Sequence, residues 1–300
     1  MAGMIASPYA SALDRIPVRE HRIEVEGTST AWWEYGDADA PVLVLVHGFR
    51  GDHHGLEPIV AQLPGYRIVS PDLPGFGASA VFADRAHDID GYARWLGAFI
   101  DAVGITGDYD LLGHSFGSIV ASAAVARDLA PRRLVLVNPI GAPALEGPRG
   151  VMTRLAVLYY KTSAALPERT GFALLRNGAI VRVMSVTMAK THDRELRRWI
   201  HDQHDRYFSD FGDRDQLLEA FRASVSHDVS EYAADIAVPT LLVAAERDDV
   251  TPLAAQHRLA TRFPDATLEV IPEVGHLIHY ETPGDAAARI GRFLGAGEQA

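Results

Sequence analysis

The chain contains no cysteine. Its absence excludes disulfides, thiolate nucleophiles and cysteine-based zinc or iron–sulfur sites. It also fits a reducing cytoplasm, the compartment expected here. Long apolar runs are missing too: none approaches the roughly 20 residues that a bilayer-spanning helix needs. The stretch Met1 to Asp14 has no Lys or Arg ahead of a sustained apolar run, so no secretory leader is expected. Basic residues are the scarcer sign, 28 Lys and Arg against 39 Asp and Glu, for a net charge of −11 with histidines neutral. No basic stripe offsets this, which argues against a nucleic-acid partner. Repeats and low-complexity segments are absent as well. What remains is 48% hydrophobic and 22% charged over 300 residues, an ordinary composition for a packed globular protein with a core that needs no staples.

The strands are marked by their periodicity. Arg22–Glu26 and Thr30–Tyr35 alternate apolar and polar residues, as an antiparallel pair does. Val42–Val46, Arg67–Ser70, Asp110–Leu112, Leu134–Val137, Thr240–Ala244 and Thr267–Ile271 are instead largely apolar throughout, as expected of buried parallel strands. Helical patterns separate them at Gly55–Leu63, Ile89–Val103, Phe116–Arg127, Pro252–Phe263 and Asp285–Phe293. Such alternation predicts a mostly parallel sheet covered by helices, with functional groups at the carboxyl ends of the strands. One interval breaks the rhythm. Between Asn138 and Thr240 about a hundred residues carry no strong strand, far beyond an ordinary connection. Arg154–Thr162, Phe172–Lys190, Arg194–Tyr207 and Gln216–Ser226 read as helices, so a helical cap is expected over residues 141–230, inserted in a core of residues 1–140 and 231–300. The cap is rich in large apolar residues, among them Met152, Tyr160, Met184, Met188 and Trp199. Most of these should be its own packing, with a few lining a pocket.

Tyr109–His114 breaks into Gly113-His114-Ser115-Phe116-Gly117 and then into an Ala-rich helix. A serine between strand and helix, flanked by glycines that let backbone pass close by, is the context of a nucleophile elbow. The strand Thr240–Ala244 leads into Glu246-Arg247-Asp248-Asp249-Val250-Thr251-Pro252, and the last strand leads into Gly275-His276. The chain order is thus Ser115, Asp248, His276. A neutral serine hydroxyl is a poor nucleophile, so His276 is expected to take its proton as general base. Asp248 is expected to hold the imidazole tautomer and stabilise the imidazolium, with Asp249 as the competing acid.

These motifs, with His47-Gly48-Phe49-Arg50-Gly51, Asp72-Leu73-Pro74-Gly75-Phe76-Gly77-Ala78-Ser79 and Glu281-Thr282-Pro283, resemble the α/β-hydrolase fold family, and in particular its cap-containing serine hydrolases. The resemblance runs from about His21 to the last helix; Ala245 stands where the family often has Gly. It implies an eight-stranded, mostly parallel sheet with a helical cap. It also implies an oxyanion hole made by the backbone N–H groups of Phe49 and Phe116, the two Phe rings acting as packing walls. The reaction it implies is cleavage of a carboxylic ester of a small to medium hydrophobic molecule through an acyl-enzyme, with neither cofactor nor metal. Carbon–carbon hydrolysis of ring-cleavage diketones, cofactor-free perhydrolysis, amidase or lactonase activity, and non-enzymatic ligand binding stay open alternatives. Oligomeric state is not legible.

Other residues read as structural. His114 is expected to be a buried histidine pointing away from substrate. His47, Asp72 and Ser79 are expected to order the loops around the site. Asp52-His53-His54 and His201-Asp202-Gln203-His204-Asp205 gather candidate metal ligands, but without a clear third ligand they read as solvated surface. Arg50 is open between a contact to an anionic substrate group and an exposed charge.

Overall fold

Runs such as Val-Leu-Val-Leu-Val have no polar face, so they can settle only where both faces of a sheet are covered. The computed structural model, which describes residues 5–142 and 150–295, builds one sheet from them. Its strands are β1 (Val18–Val25), β2 (Thr28–Tyr35), β3 (Val42–Val46), β4 (Arg67–Pro71), β5 (Tyr109–His114), β6 (Arg133–Val137), β7 (Thr240–Ala245) and β8 (Ala266–Ile271). The order across the sheet is β1-β2-β4-β3-β5-β6-β7-β8. β1 and β2 pair antiparallel, as do β2 and β4, and every other pair is parallel. The expected mostly parallel, eight-stranded sheet is therefore present.

Alternate side chains go to opposite faces of each strand. Val44, Val46, Leu111, Leu134, Leu136 and Leu242 pack on one side against Trp95, Phe99, Ile119 and Val120. Those four come from α3 (Ile89–Ala102) and α4 (Phe116–Arg127), which follow α1 (Ala10–Leu13) and α2 (Glu57–Val60). Leu43, Leu45, Leu112, Val135, Val137 and Val243 face the other way, onto Ile59 and Val60 of α2 and onto Ala286 and Ile290. Each buried Val, Leu, Ile or Phe among them contributes about 1.5–3 kcal/mol by leaving water.

Between β6 and β7 lie α5 (Gly150–Ala165), α6 (Glu168–Leu175), α7 (Gly178–Met188), α8 (Arg194–Tyr207) and α9 (Arg214–Ser226). After β7 come α10 (Leu253–Ala260), α11 (Ile278–Glu281) and α12 (Pro283–Phe293), which carries Ala286 and Ile290. The helix expected over Phe172–Lys190 is two helices. Asn177 breaks it, its side-chain oxygen accepting from Ala179 N–H at 3.0 Å and Ile180 N–H at 3.3 Å, so it caps α7 and ends the preceding turn. The helix expected over Gly55–Leu63 is shorter, a 3₁₀ turn (His53–Leu56) followed by α2. Residues 143–149, near the expected start of the cap, lie outside the described residues, as does the Met152 side chain. Among the described residues no helix is long and apolar enough to cross a membrane.

The segment between β6 and β7 is joined to the rest of the fold by backbone as well as side-chain bonds. Gly212 N–H donates to Gly75 O at 2.9 Å, and Gly77 N–H to Asp210 O at 3.1 Å. On the far side, Lys190 and Thr191 N–H both donate to Glu281 Oε1, at 2.6 and 2.9 Å.

Candidate active site

The parallel register brings the carboxyl ends of β3, β5 and β6 level, with Val46 opposite Gly113 and His114 opposite Val137. β5 then turns sharply into α4. Ser115 sits at that turn with φ 53° and ψ −117°, outside the usual regions for a residue with a side chain. Strain of this kind costs about 1–3 kcal/mol and persists only where the surroundings enforce it. Here they do. Ser115 N–H donates to Val137 O at 3.1 Å, and Ser118 Oγ donates to Ser115 O at 2.5 Å. The flanking glycines are sterically required: a Cβ on Gly117 would run into the Val46 carbonyl, and one on Gly113 into the Gly117 carbonyl.

The structure brings Ser115, His276 and Asp248 together. Ser115 Oγ lies 2.8 Å from His276 Nε2, and His276 Nδ1 lies 2.9 Å from Asp248 Oδ2. Asp248 also accepts from Asn138 Nδ2 at 3.0 Å, from Val250 N–H at 2.7 Å and from Thr251 N–H at 3.1 Å. Burial would raise the Asp248 carboxyl, but the facing His276 imidazole and the two backbone donors outweigh it and hold the pKa below its ordinary value. An ionised Asp248 takes its hydrogen bond from Nδ1–H, which leaves Nε2 free to accept from the Ser115 hydroxyl. Asp249 turns elsewhere, pairing with Lys190 Nζ at 2.5 Å.

The loop after β3 comes close to the serine. A Cβ built on Gly48 would stand 3.3 Å from Ser115 Cβ. Among the described residues, the N–H groups of Phe49 and Phe116 have no acceptor. The Phe116 N–H opens α4, where the helix dipole favours negative charge. The Phe49 ring packs edge-on against Phe76 and Phe116, with centroids 5.9 and 6.2 Å away, so the side chain is a wall as expected.

The neighbouring loops are held from within. Leu73 N–H donates to His47 Nε2 at 2.8 Å, leaving Nδ1 to donate to Gly48 O at 2.9 Å. Asp72 accepts from His53 N–H and Ala78 N–H, both at 2.8 Å, while Ser79 Oγ donates to Asp72 O at 2.8 Å. His114 is buried beside His276 and His279, and desolvation pushes its imidazole down to about 3, so it stays neutral.

Three expectations are corrected. Asp52 and His53 are buried, not solvated: His53 shares Asp72 Oδ1 at 2.9 Å and stacks on Trp33, while His54 stacks on Tyr207 of α8. The donor atoms of Asp52, His53 and His54 lie within 4.8 Å of one another, yet Asp52 Oδ1 is engaged by His54 N–H and His53 Nδ1 by Asp72. His201 and His204 are likewise buried, both lying 2.6 Å from Ser185 Oγ. Arg50 is not an exposed charge; it is buried, with its guanidinium on the carbonyls of Phe208 and Leu175, although it is also among the residues that line the cavity above Ser115. From the sequence Asn138 counts only as a position where an acid could have stood, and an amide cannot supply that charge; its donor role goes unread. Its place at the carboxyl end of β6 was the available signal, and its left-handed backbone (φ 45°) aims the amide at Asp248.

Above Ser115 opens a cavity of about 860 Å³. Its walls are mainly apolar and come from both layers, with Phe49 and Leu56 below and Ala156, Met184, Met188 and Phe221 above. Comparison with known proteins agrees with this architecture. A model of the alpha/beta hydrolase family matches residues 43–290. The chain is 28% identical over 279 residues to the dihydrolipoyllysine-residue acetyltransferase component of the acetoin cleaving system of Pseudomonas putida, covering 91% of this chain and 68% of that one. It is 23% identical to lipase 1 of Psychrobacter immobilis, covering 87% of this chain and 79% of the lipase. Among solved structures, a thermophilic esterase of Thermogutta terrifontis superposes with a TM-score of 0.73 at 21% identity, over 93% of this chain and 98% of the esterase. With its sheet order and a family match that spans the chain from β3 to α12, the protein belongs to the alpha/beta hydrolase family and is a hydrolase.

Proposed function

We propose that the protein is a serine hydrolase that cleaves carboxylic esters of small to medium hydrophobic molecules through an acyl-enzyme. Ser115 Oγ attacks the ester carbonyl while His276 Nε2 takes its proton, and Asp248 stabilises the resulting imidazolium. The carbonyl oxygen becomes an oxyanion that accepts hydrogen bonds from Phe49 and Phe116 N–H. As the tetrahedral intermediate collapses, the bond to the alcohol oxygen breaks and His276 gives that oxygen its proton. Water enters, loses a proton to His276 and attacks the acyl carbon. The acid leaves, and the proton returns to Ser115.

The observation that carries this reading is the hydrogen-bonded run from Ser115 Oγ through His276 to Asp248, with links of 2.8 and 2.9 Å, beneath a mainly apolar cavity. The larger, apolar part of those walls favours a hydrophobic substrate, with Lys190, Glu246, Arg247 and Asp249 among the polar lining residues. The test is a p-nitrophenyl ester series from acetyl to dodecanoyl, run on wild type and Ser115→Ala. The expected outcome is turnover with a chain-length optimum in wild type and almost none in Ser115→Ala. Folded wild type without turnover would move the reading to carbon–carbon cleavage or perhydrolysis.

A further inference from the structure

Arg50 is the least expected residue near the site. It stands third in a turn closed by Gly51 N–H to Gly48 O at 3.1 Å, with φ 61°. A left-handed residue at that position of a turn is ordinarily glycine. Its neighbour in the turn is Phe49, the proposed oxyanion donor. The Arg50 side chain leaves the core altogether. Nε donates to Phe208 O at 2.8 Å, Nη2 to Leu175 O at 2.7 Å and Nη1 to Tyr160 Oη at 3.2 Å, while Cζ lies 5.3 Å from the centre of the Phe211 ring. These partners come from four parts of the cap. Leu175 ends α6, Phe208 caps α8, Tyr160 belongs to α5, and Phe211 lies between α8 and α9.

Arg50 is 1% exposed, and no carboxylate among the described residues pairs with its guanidinium. A charge that stays protonated at any working pH is therefore balanced by carbonyls at the negative ends of two helices. Those carbonyls are available in that geometry only when α6 and α8 are docked. The Phe49 ring also rests on the cap, 6.1 Å from Tyr160, which it shares with Arg50, and 6.0 Å from Phe221, the two rings stacking on each other at 3.7 Å. The turn is thus gripped from above through two adjacent side chains.

We propose that Arg50 is a positioning residue: it ties the oxyanion turn to the docked cap and so sets the direction of the Phe49 N–H. The inference rests on the ester-hydrolase reading, with Phe49 as an oxyanion donor. It predicts a defect in transition-state stabilisation and not in substrate binding. A donor displaced by about 1 Å costs on the order of 10²-fold.

The experiment compares wild type, Arg50→Gly and Arg50→Lys by kcat and KM on a p-nitrophenyl ester, by the rate at which a p-nitrophenyl phosphonate labels Ser115, and by Tm. Arg50→Gly relieves the turn strain while removing the tether. It should lose about 10- to 100-fold in kcat with KM within threefold, and the labelling rate should fall in parallel. Arg50→Lys, which keeps the charge and the stem, should fall between. If Arg50→Gly does not fold, Arg50→Lys carries the same reading through its kcat and labelling rate. A folded variant with lowered Tm but kcat and labelling within twofold of wild type overturns the proposal, as does a loss carried by KM alone. Wild type that the phosphonate fails to label at Ser115 sinks the underlying reading and the Arg50 proposal with it.

Discussion

Asp248 and Asp249 are adjacent and chemically alike, and what each faces separates them. Asp248 meets His276 Nδ1 and three N–H donors, whereas Asp249 meets Lys190 at the cavity wall. Asp248→Asn keeps the shape but removes the charge and favours the wrong imidazole tautomer. It should lower kcat by on the order of 10⁴-fold with little change in Tm. Asp249→Asn should leave kcat within a few-fold, because the group it loosens is Lys190. A larger loss in Asp249→Asn than in Asp248→Asn would reverse the assignment. At this scale the sequence was informative wherever the signal is local. Ser115 is marked by the glycines beside it, and His276 by following the last strand. Arg50 was not legible, because its acceptors are supplied by residues 160, 175 and 208, which only the fold brings to it. The donor role of Asn138 was not legible for a related reason: its amide has meaning only once β6 and the Asp248 loop are neighbours.

Elements were legible in proportion to how far periodicity alone determines them. The parallel strands are apolar on both faces and could hardly be anything else. The break between α6 and α7 was hidden because both helices carry the same apolar spacing, and only the Asn177 cap separates them. The antiparallel edge shows what a periodic pattern leaves out. Glu34 in β2 is nearly buried, yet it accepts from Arg19 of β1 at 2.9 Å and from Arg67 of β4 at 2.9 and 2.7 Å. It thus binds three strands together. Burial would raise its carboxyl, but the two guanidinium groups outweigh that and lower its pKa in the folded state. Because the folded value lies below the unfolded one, the stabilisation is fully present above the unfolded pKa of about 4.3 and is lost as pH falls through the folded value. Glu34→Gln should therefore cost about 1–2 kcal/mol near neutral pH, and the two proteins should converge below about pH 4. Urea unfolding at several pH values measures this. A difference that stays constant down to acid pH would show that packing and not charge carries the Glu34 contribution.

The whole molecule makes its cavity from two layers that are far apart in sequence. The long interval without strands was readable as a helical segment, the one that α5 to α9 now occupy, since so many residues between two buried strands must pack somewhere. Its inward face was not legible, because a helix that packs on its neighbours and one that lines a pocket show the same amphipathic spacing. Ala156 of α5 is among the residues that line the cavity, and its small side chain fills little of it. If the acyl chain of an ester runs up from Ser115 toward α5, filling that space should shorten the chains accepted without touching the chemistry. Ala156→Phe should keep kcat/KM for the acetyl ester within about threefold and lower it for the octanoyl ester by about tenfold or more, the scale of discrimination that pocket shape provides. The ratio of the two is the quantity to measure, since it cancels any general loss of active enzyme. An unchanged ratio would take the acyl chain away from α5 and toward Met184 and Met188 of α7, the other apolar wall above the serine.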